Sequence, residues 1–215
     1  KHMKLIDMTV TDFASEVDSN SPAPGGGSVS ALASDIGVGL ARMMAHLSFG
    51  KKKFEALDDK TKEEFKVRFD KLGEIRTELS TLVDKDTESF NEFMKALKLP
   101  KETDEEKVAR AKAMEEATIF SIEVPYKTAK LSLEALKLLD FLVENGNQNA
   151  ITDIGVGTLM IATGMEGAIL NVKVNLMGLE NKEIHDKYSK GCKEILCEGQ
   201  KIKDDIIAKI HKQLD

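Results

Sequence analysis

The sequence predicts an all-α protein, an antiparallel helical bundle of about six to eight helices. Apolar residues recur at spacings of three and four through long segments, strictly alternating strand patterns are absent, and aromatic residues make up only 5% of the chain. Residues 3–215 are long enough to bury one sizeable core and are predicted to form a single domain. Lys1 and His2 precede Met3 and are expected to be a cloning remnant.

The first half of the chain predicts three helices. Thr11–Val17 indicates a short one, and a glycine turn then leads into a small-residue helix from Val29 to about Ser48. From Lys60 to Leu97 the apolar residues form one continuous stripe, which is typical of a long amphipathic helix, and Pro100 marks its end.

The second half begins with a capping-box pattern, Thr103 to Glu106, which predicts the start of another long helix. Pro125 lies inside this helix and is expected to kink or divide it. After a turn at 145–147, a small-residue helix is predicted from Ile151 to about Asn175. A last amphipathic helix carries a row of isoleucines that ends at Ile210.

Charge and composition argue against several classes of protein. The formal net charge is −6, with both signs mixed along the helices, so no basic stripe for nucleic acid is present. Cys192 and Cys197 match no zinc spacing and are expected to be reduced thiols, with no metal site. The most apolar run contains Asp153, Glu166 and Lys173, which favours a protein that does not cross a membrane. We expect a soluble, cytoplasmic protein.

A turn at residues 21–28 is the first candidate site. Two prolines stiffen it, and Gly25, Gly26 and Gly27 let the backbone approach a ligand closely. Ser28 is predicted to cap the following helix, whose exposed N–H groups suit an anionic or electron-rich ligand. An ordinary loop with an N-cap is the alternative.

Asp86 interrupts an apolar helix face, because the stripe through Leu79 and Val83 reaches it before resuming at Phe90. A carboxylate at such a position must pair with a cation, keep a proton or face a cleft. Two interpretations stay open, a general acid or base with a raised pKa and a buried salt bridge to a neighbouring helix.

A strip of small and polar residues follows one face of the second small-residue helix. It either fits a flat ligand or packs tightly against another helix, and its members are Asp153, Gly157, Gly164, Ala168, Asn171 and Asn175. The asparagine amides can bind a heteroaromatic edge or backbone groups. Asn147 caps this helix or reaches the same cleft.

The other small-residue helix carries Asp35, Arg42 and His46 on one face, and Arg42 is expected to pair with Asp35. The segment 34–39 recurs in similar form at 152–157, and its glycines indicate a closely approached backbone. The two copies of this repeated segment either pack against other helices or contact a ligand.

Several short motifs occur together in one order along the chain. They are Pro-Ala-Pro-Gly-Gly-Gly-Ser at 22–28, Gly-Lys-Lys at 50–52, Asp86 with Phe90, Leu-Pro-Lys at 99–101, Pro-Tyr-Lys-Thr-Ala at 125–129, Gly-Asn at 146–147, Thr-Asp-Ile-Gly-Val at 152–156, and Asn171-Val172 with Asn175. From about Leu5 onward the chain resembles the cyclodeaminase/cyclohydrolase family, found as the C-terminal domain of formiminotransferase-cyclodeaminase and as stand-alone bacterial proteins. The family tends to have a small apolar residue where this chain has Asp35, so no catalytic role is carried onto it.

The resemblance implies an all-α homodimer that binds a tetrahydrofolate derivative, mono- or polyglutamylated, in a cleft near the subunit interface. It implies no metal and no other cofactor. Members of the family either interconvert 5,10-methenyl- and 10-formyltetrahydrofolate by hydrolysis or close 5-formiminotetrahydrofolate with loss of ammonia. The absence of a formiminotransferase segment from this sequence favours the cyclohydrolase.

On this basis Asp86 and Asp153 are the predicted catalytic residues, as general acid or base. The predicted substrate-binding residues are the turn Pro24, Gly25, Gly26, Gly27 and Ser28, the amides of Asn147, Asn171 and Asn175, and Lys51, Lys52 and Lys127 for the glutamate tail. Two further classes remain open, a folate-binding protein without catalysis and a helical interaction protein whose small residues only pack helices.

Overall fold

The computed structural model describes residues 3–215, so the expectation for Lys1 and His2 lies outside the described residues. Within this range the chain forms seven α-helices and no strand, as the sequence predicts. The helices are α1 (Val10–Val17), α2 (Gly26–His46), α3 (Lys52–Glu55), α4 (Asp59–Leu97), α5 (Asp104–Asn145), α6 (Ile151–Leu176) and α7 (Lys182–Leu214).

The long helices begin at side chains that satisfy their first N–H groups. Asp58 accepts from the N–H of Thr61 at the start of α4, and Thr103 and Glu106 form the predicted capping box of α5. The chain stays helical through Pro125, so the proline does not divide α5. A fully buried hydroxyl pair, Ser34 and Ser132 with their Oγ atoms 2.6 Å apart, ties α2 to α5.

Helix α5 packs against α4, α6 and α7, while α2 lies between α4 and α6. By length and composition alone, the segment Gln148–Leu176 is apolar enough to cross a membrane, despite its charged residues. In the fold 56% of its most apolar stretch is buried, as in the core helix of a globular protein. Interior position therefore explains part of the apolar character of α6.

Helices α2 and α6 run antiparallel with their backbones in contact. A Cβ atom built on Gly37 would lie 2.8 Å from the carbonyl oxygen of Gly157, and one on Gly157 would lie 2.6 Å from that of Gly37. Further along, a Cβ atom on Gly164 would lie 2.6 Å from the carbonyl oxygen of Ser30. The small-residue strip therefore lies at a close crossing of two helices. The alternative, that the strip binds a flat ligand, is wrong for Gly157 and Gly164.

The buried carboxylate of Asp35 pairs with Arg76 of α4, whose Nη1 lies 3.1 Å from Oδ1, and not with Arg42 as its helical spacing predicts. Burial raises the pKa of Asp35, and the positive charge of Arg76 opposes that rise in part. Arg42 instead donates to the carbonyl oxygen of Phe69 and stacks over the phenyl ring. Asp35 therefore links α2 to α4 and has a structural role.

Replacing Gly157 by alanine should lower the free energy of unfolding by about 1–3 kcal/mol, because the new methyl group meets a backbone oxygen that cannot rotate away. Gly155→Ala in the same helix is the matched control. Its methyl group would lie 3.4 Å from a flexible Ile210 side chain, so alanine should stabilise the helix by about 1 kcal/mol. Urea unfolding of both variants measures the difference, and equal stabilities would contradict the close crossing.

Candidate active site

A cavity of about 1040 Å³ opens where the N-terminus of α2 meets α4, α5 and the C-terminal part of α6. This volume lies at the upper end of the range for small-molecule sites, roughly 300–1000 Å³. The turn before α2 contributes Pro22, Ala23 and Gly25, and the start of α2 contributes Gly26 and Gly27; α4 contributes Asp86, Thr87, Ser89, Phe90 and Phe93; α5 contributes Arg110, Ala111, Lys112, Met114, Glu115, Thr118 and Ser121; and α6 with the turn that follows contributes Asn171, Val174, Asn175 and residues 178–181.

Asp86 lies half-buried on α4, with its carboxyl group directly against the Cα atom of Gly27. A Cβ atom at Gly27 would overlap both carboxylate oxygens, so the glycine is required for this approach. The second glycine of the turn plays a similar part, because a Cβ atom on Gly26 would lie 3.3 Å from Nδ2 of Asn171. The turn thus brings a carboxylate and an amide to one wall of the cavity.

No lysine or arginine among residues 3–215 forms an ion pair with Asp86, so the salt-bridge interpretation is wrong. Burial raises the pKa of Asp86, and hydrogen bonding to Ser28 opposes part of that rise. The Ser28 hydroxyl gives its single hydrogen to the carbonyl oxygen of Val83, 2.6 Å away, so the Ser28 backbone N–H is the donor left for Asp86. A raised pKa and a place on the cavity wall are the properties expected of a carboxyl group that accepts and returns a proton.

The N-terminus of α2 differs from its sequence prediction. Gly25 is the N-cap, and Ser28 lies one turn inside the helix with a fully buried side chain. No side chain of the preceding turn caps α2, and the carboxylate of Asp86 from α4 lies at this N-terminus instead. Negative charge at a helix N-terminus is favourable. At this end of α2 an anionic ligand group would be repelled by the carboxylate of Asp86. A cationic group or an N–H donor therefore fits this part of the cavity better than an anion.

The amides of Asn171 and Asn175 have a defined orientation. Nδ2 of Asn171 donates to the carbonyl oxygen of Gly167 at 2.9 Å, and Nδ2 of Asn175 donates to that of Ser121 at 2.8 Å. Because carbonyl oxygens only accept, the NH₂ group of each amide must face them. The Oδ1 atoms have no hydrogen-bond partner within the described range and are available to a ligand.

Two predicted residues lie at the other end of the molecule. Asp153 is 18 residues before Asn171 on the same helix, which places them about 27 Å apart along its axis. Asn147 donates from Nδ2 to the carbonyl oxygen of Leu47, beyond the C-terminus of α2, and accepts from the N–H of Asn149. These contacts make Asn147 the cap of the turn that precedes α6, and they place its side chain away from the cavity.

The predicted cationic residues also lie outside the cavity of this chain. Lys51 precedes α3 and Lys52 lies in it, both exposed, and Lys127 pairs with Glu78 at 3.7 Å. Pro24 is buried behind the turn and does not line the cavity.

Two cationic residues of the cavity were not predicted. Arg110 donates from Nε and Nη2 to the carbonyl oxygen of Leu97 at 3.3 and 3.1 Å, and Lys112 lies exposed near it. Glu115 and Glu180 complete the charged part of the wall. One sequence signal could have identified this cavity-facing side of α5. Spacings of four and three residues put Arg110, Met114, Thr118 and Ser121 on one helix face, and the same spacing leads on to Pro125.

Among residues 3–215, no three His, Cys, Asp or Glu side chains form a group that could hold a metal ion. The two cysteines are free, with Cys192 buried and Cys197 exposed.

A sequence profile described as Formiminotransferase-cyclodeaminase matches residues 9–194. The chain is 31% identical to a methenyltetrahydrofolate cyclohydrolase of Methylorubrum extorquens over 207 residues, 96% of this chain and 98% of that protein. It is 35% identical to a formimidoyltransferase-cyclodeaminase of Dictyostelium discoideum over 91% of this chain but only 35% of that protein. The mouse (Mus musculus) protein of that name is 31% identical, and the chain spans 36% of its length.

The fold is also found in a solved structure. A formiminotetrahydrofolate cyclodeaminase of Thermotoga maritima superposes with a TM-score of 0.76 at 23% identity, covering 96% of this chain and 95% of the other. At this identity the likeness establishes the shared fold.

Asp86→Asn should raise the free energy of unfolding at neutral pH. The folded protein raises the pKa of Asp86, so burying the ionised group is unfavourable, and the amide removes that penalty. The gain should shrink as the pH falls through the folded pKa and vanish below about 3.9, the ordinary value for aspartate. Urea unfolding across this pH range measures it, with Asp18→Asn at an exposed site as the control. A gain that does not depend on pH would contradict the assigned cause.

Proposed function

Because the chain belongs to the formiminotransferase-cyclodeaminase family, we propose that it is a folate one-carbon enzyme that hydrolyses 5,10-methenyltetrahydrofolate to 10-formyltetrahydrofolate. The profile match confirms the family resemblance carried by the sequence motifs. Among the relatives, the cyclohydrolase of Methylorubrum extorquens is matched along nearly its whole length, whereas the chain spans about a third of the formimidoyltransferase-cyclodeaminases.

The observation that carries this proposal is that, within the described part of the chain, one carboxyl group without an ion-pair partner and two amide oxygens without hydrogen-bond partners belong to residues that line the same cavity. The methenyl bridge of the substrate is cationic, and a nearby carboxylate stabilises positive charge in a site of low polarity. The amide oxygens of Asn171 and Asn175 suit the N–H groups along the edge of a pterin ring.

In the proposed reaction a water molecule adds to the bridging carbon, and Asp86 accepts the proton that the water releases. The hydroxyl group of this adduct then loses its proton to solvent as the formyl C=O bond forms, and the bond between the carbon and N5 breaks. N5 keeps the electron pair of that bond, and Asp86 returns its proton to N5. One proton is released overall, because the cationic substrate becomes a neutral formamide. The oxidation level of the carbon does not change, so the reaction needs no redox cofactor.

Cyclodeamination of 5-formiminotetrahydrofolate is the second candidate, favoured by the relatives that carry a cyclodeaminase name. There N10 attacks the formimino carbon, Asp86 accepts the N10 proton, and the carbon–nitrogen bond to the departing ammonia breaks after proton transfer. Both reactions form a tetrahedral carbon between N5 and N10, so one arrangement of Asp86 serves either.

Arg110 and Lys112 are the cations that we assign to the glutamate tail in place of Lys51, Lys52 and Lys127. They line the same cavity as Asp86, on α5, whereas the three lysines do not. A guanidinium and an ammonium group favour carboxylates, and a polyglutamylated substrate would offer several.

We further propose that the protein is a homodimer that associates through α2 and α6. Exposed apolar side chains form one stripe along each helix, at Val29, Ile36 and Met43 on α2 with Leu47 directly after it, and at Val156, Leu159, Leu170 and Val174 on α6. Ile36 is 48% exposed and Leu170 is 61% exposed, which is unusual for adjacent apolar rows. Val174 also lines the cavity, so a second copy bound here would adjoin the substrate site.

Asp86→Asn should lower kcat about 10²- to 10⁴-fold, since the amide can neither accept nor return the proton. Asp153→Asn is the matched control and should keep kcat within a few-fold, because Asp153 lies outside the cavity. Loss of methenyltetrahydrofolate absorbance measures the hydrolysis, and ammonia release from formiminotetrahydrofolate measures the alternative.

Folate affinity without either reaction would identify a binding protein, and no affinity at all would favour an interaction protein.

The wild-type protein should sediment with twice the mass of one chain, and Ile36→Glu or Leu159→Glu should convert it to a monomer. Each substitution places a charge in the apolar stripe, where burial against a second copy is unfavourable. Val108→Glu changes a 70% exposed apolar residue on α5 and should leave the dimer intact. Sedimentation equilibrium distinguishes the two masses, and a monomeric wild type would contradict the proposed interface.

A further inference from the structure

A contact between helices holds the side chain of Asn175 in place. Its Nδ2 atom donates to the main-chain carbonyl oxygen of Ser121 on α5, 2.8 Å away, and both residues line the cavity. In an ordinary α-helix the carbonyl oxygen of residue 121 accepts from the N–H of residue 125. A side chain from another helix would have to compete with that bond.

Residue 125 is proline, which has no N–H to donate. Pro125 is buried inside an α5 that remains helical on both sides, so the carbonyl oxygen of Ser121 lacks its usual helical donor. Asn175 supplies a donor to this oxygen from α6. The amide orientation follows, because the NH₂ group faces Ser121 and Oδ1 is left for the cavity.

We propose that Pro125 is a positioning residue of the active site, which acts through Asn175 by withholding a main-chain donor from Ser121. This inference rests on the proposed function only for the identity of the ligand. Its geometric part, the coupling of residue 125 to the amide of residue 175, stands on the contacts of the folded chain. The consequence for a folate is a fixed acceptor that meets a ring N–H group without loss of side-chain freedom on binding.

Pro125→Ala returns an N–H to position 125, which then bonds the carbonyl oxygen of Ser121 and releases Asn175. KM for methenyltetrahydrofolate should rise about 10-fold, the effect of one hydrogen bond, with kcat changed less than 3-fold. The unfolding midpoint should not fall, because alanine suits a helix interior better than proline. A proline with only a structural role would give the reverse, an unchanged KM and a lower unfolding midpoint.

A double-mutant cycle with Asn175→Ala tests whether Pro125 acts through Asn175. Asn175→Ala should also raise KM about 10-fold, and adding Pro125→Ala to it should produce no further change. Pro100→Ala, in the exposed turn after α4, is the matched control and should keep the wild-type KM. If Pro125→Ala still raised KM about 10-fold in the Asn175→Ala variant, the proposal would be overturned.

A measurement without substrate separates this inference from the proposed function. In the ¹⁵N–¹H spectrum of the wild-type protein, the side-chain amide of Asn175, assigned by its loss in Asn175→Ala, should show hydrogen-bonded shifts. Pro125→Ala should move these signals toward those of a free amide, and Pro100→Ala should not. Unchanged signals in Pro125→Ala would overturn the positioning role, whereas a wild type inactive on both folates would overturn only the proposed function.

Discussion

The contact between the backbones of α2 and α6 is the constraint on which the rest of the structure depends. Glycines on both helices, together with serines on α2, allow a separation that larger side chains would prevent, and each interior glycine costs about 1 kcal/mol of helix stability relative to alanine. The close packing offsets this through dispersion contacts along most of both helices. Because the helices are antiparallel, the start of α2 lies beside the end of α6, and the cavity forms at that junction.

The character of the cavity follows from the residues at this junction. Asp86 reaches the first turn of α2 only because Gly27 has no side chain, and its surroundings provide a backbone N–H but no cation. The buried carboxylate that does have a cation, Asp35 with Arg76, lies away from the cavity and joins two helices. Two acidic groups in apolar helix faces therefore have different roles, decided by whether a guanidinium lies beside them.

Residues that are unfavourable in helices, glycine and proline, occur in α2 and α5 close to the wall of the cavity. Gly25 caps α2 and two further glycines begin it, and a proline inside α5 leaves the carbonyl oxygen of Ser121 to Asn175. Each of these departures from ideal helix composition is locally unfavourable, and each places a polar group toward the cavity. Local sequence rules are commonly broken at functional sites, where the gain lies in ligand binding and not in stability.

Helix order, the Thr103 capping box and the approximate helix bounds follow from the sequence, because periodicity and capping are local properties of the chain. The interruption of an apolar stripe identified Asp86 for the same reason. Spacing along α6 sets Asp153 about 27 Å from Asn171, but it could not tell which of the two residues lies at the cavity. Nor could it tell that Asp35 pairs with Arg76 and not Arg42. The tertiary structure decides these points, since partners on other helices depend on how the helices cross. Arg110 and Lys112 join the cavity for the same reason, because α5 passes beside the ends of α2 and α6.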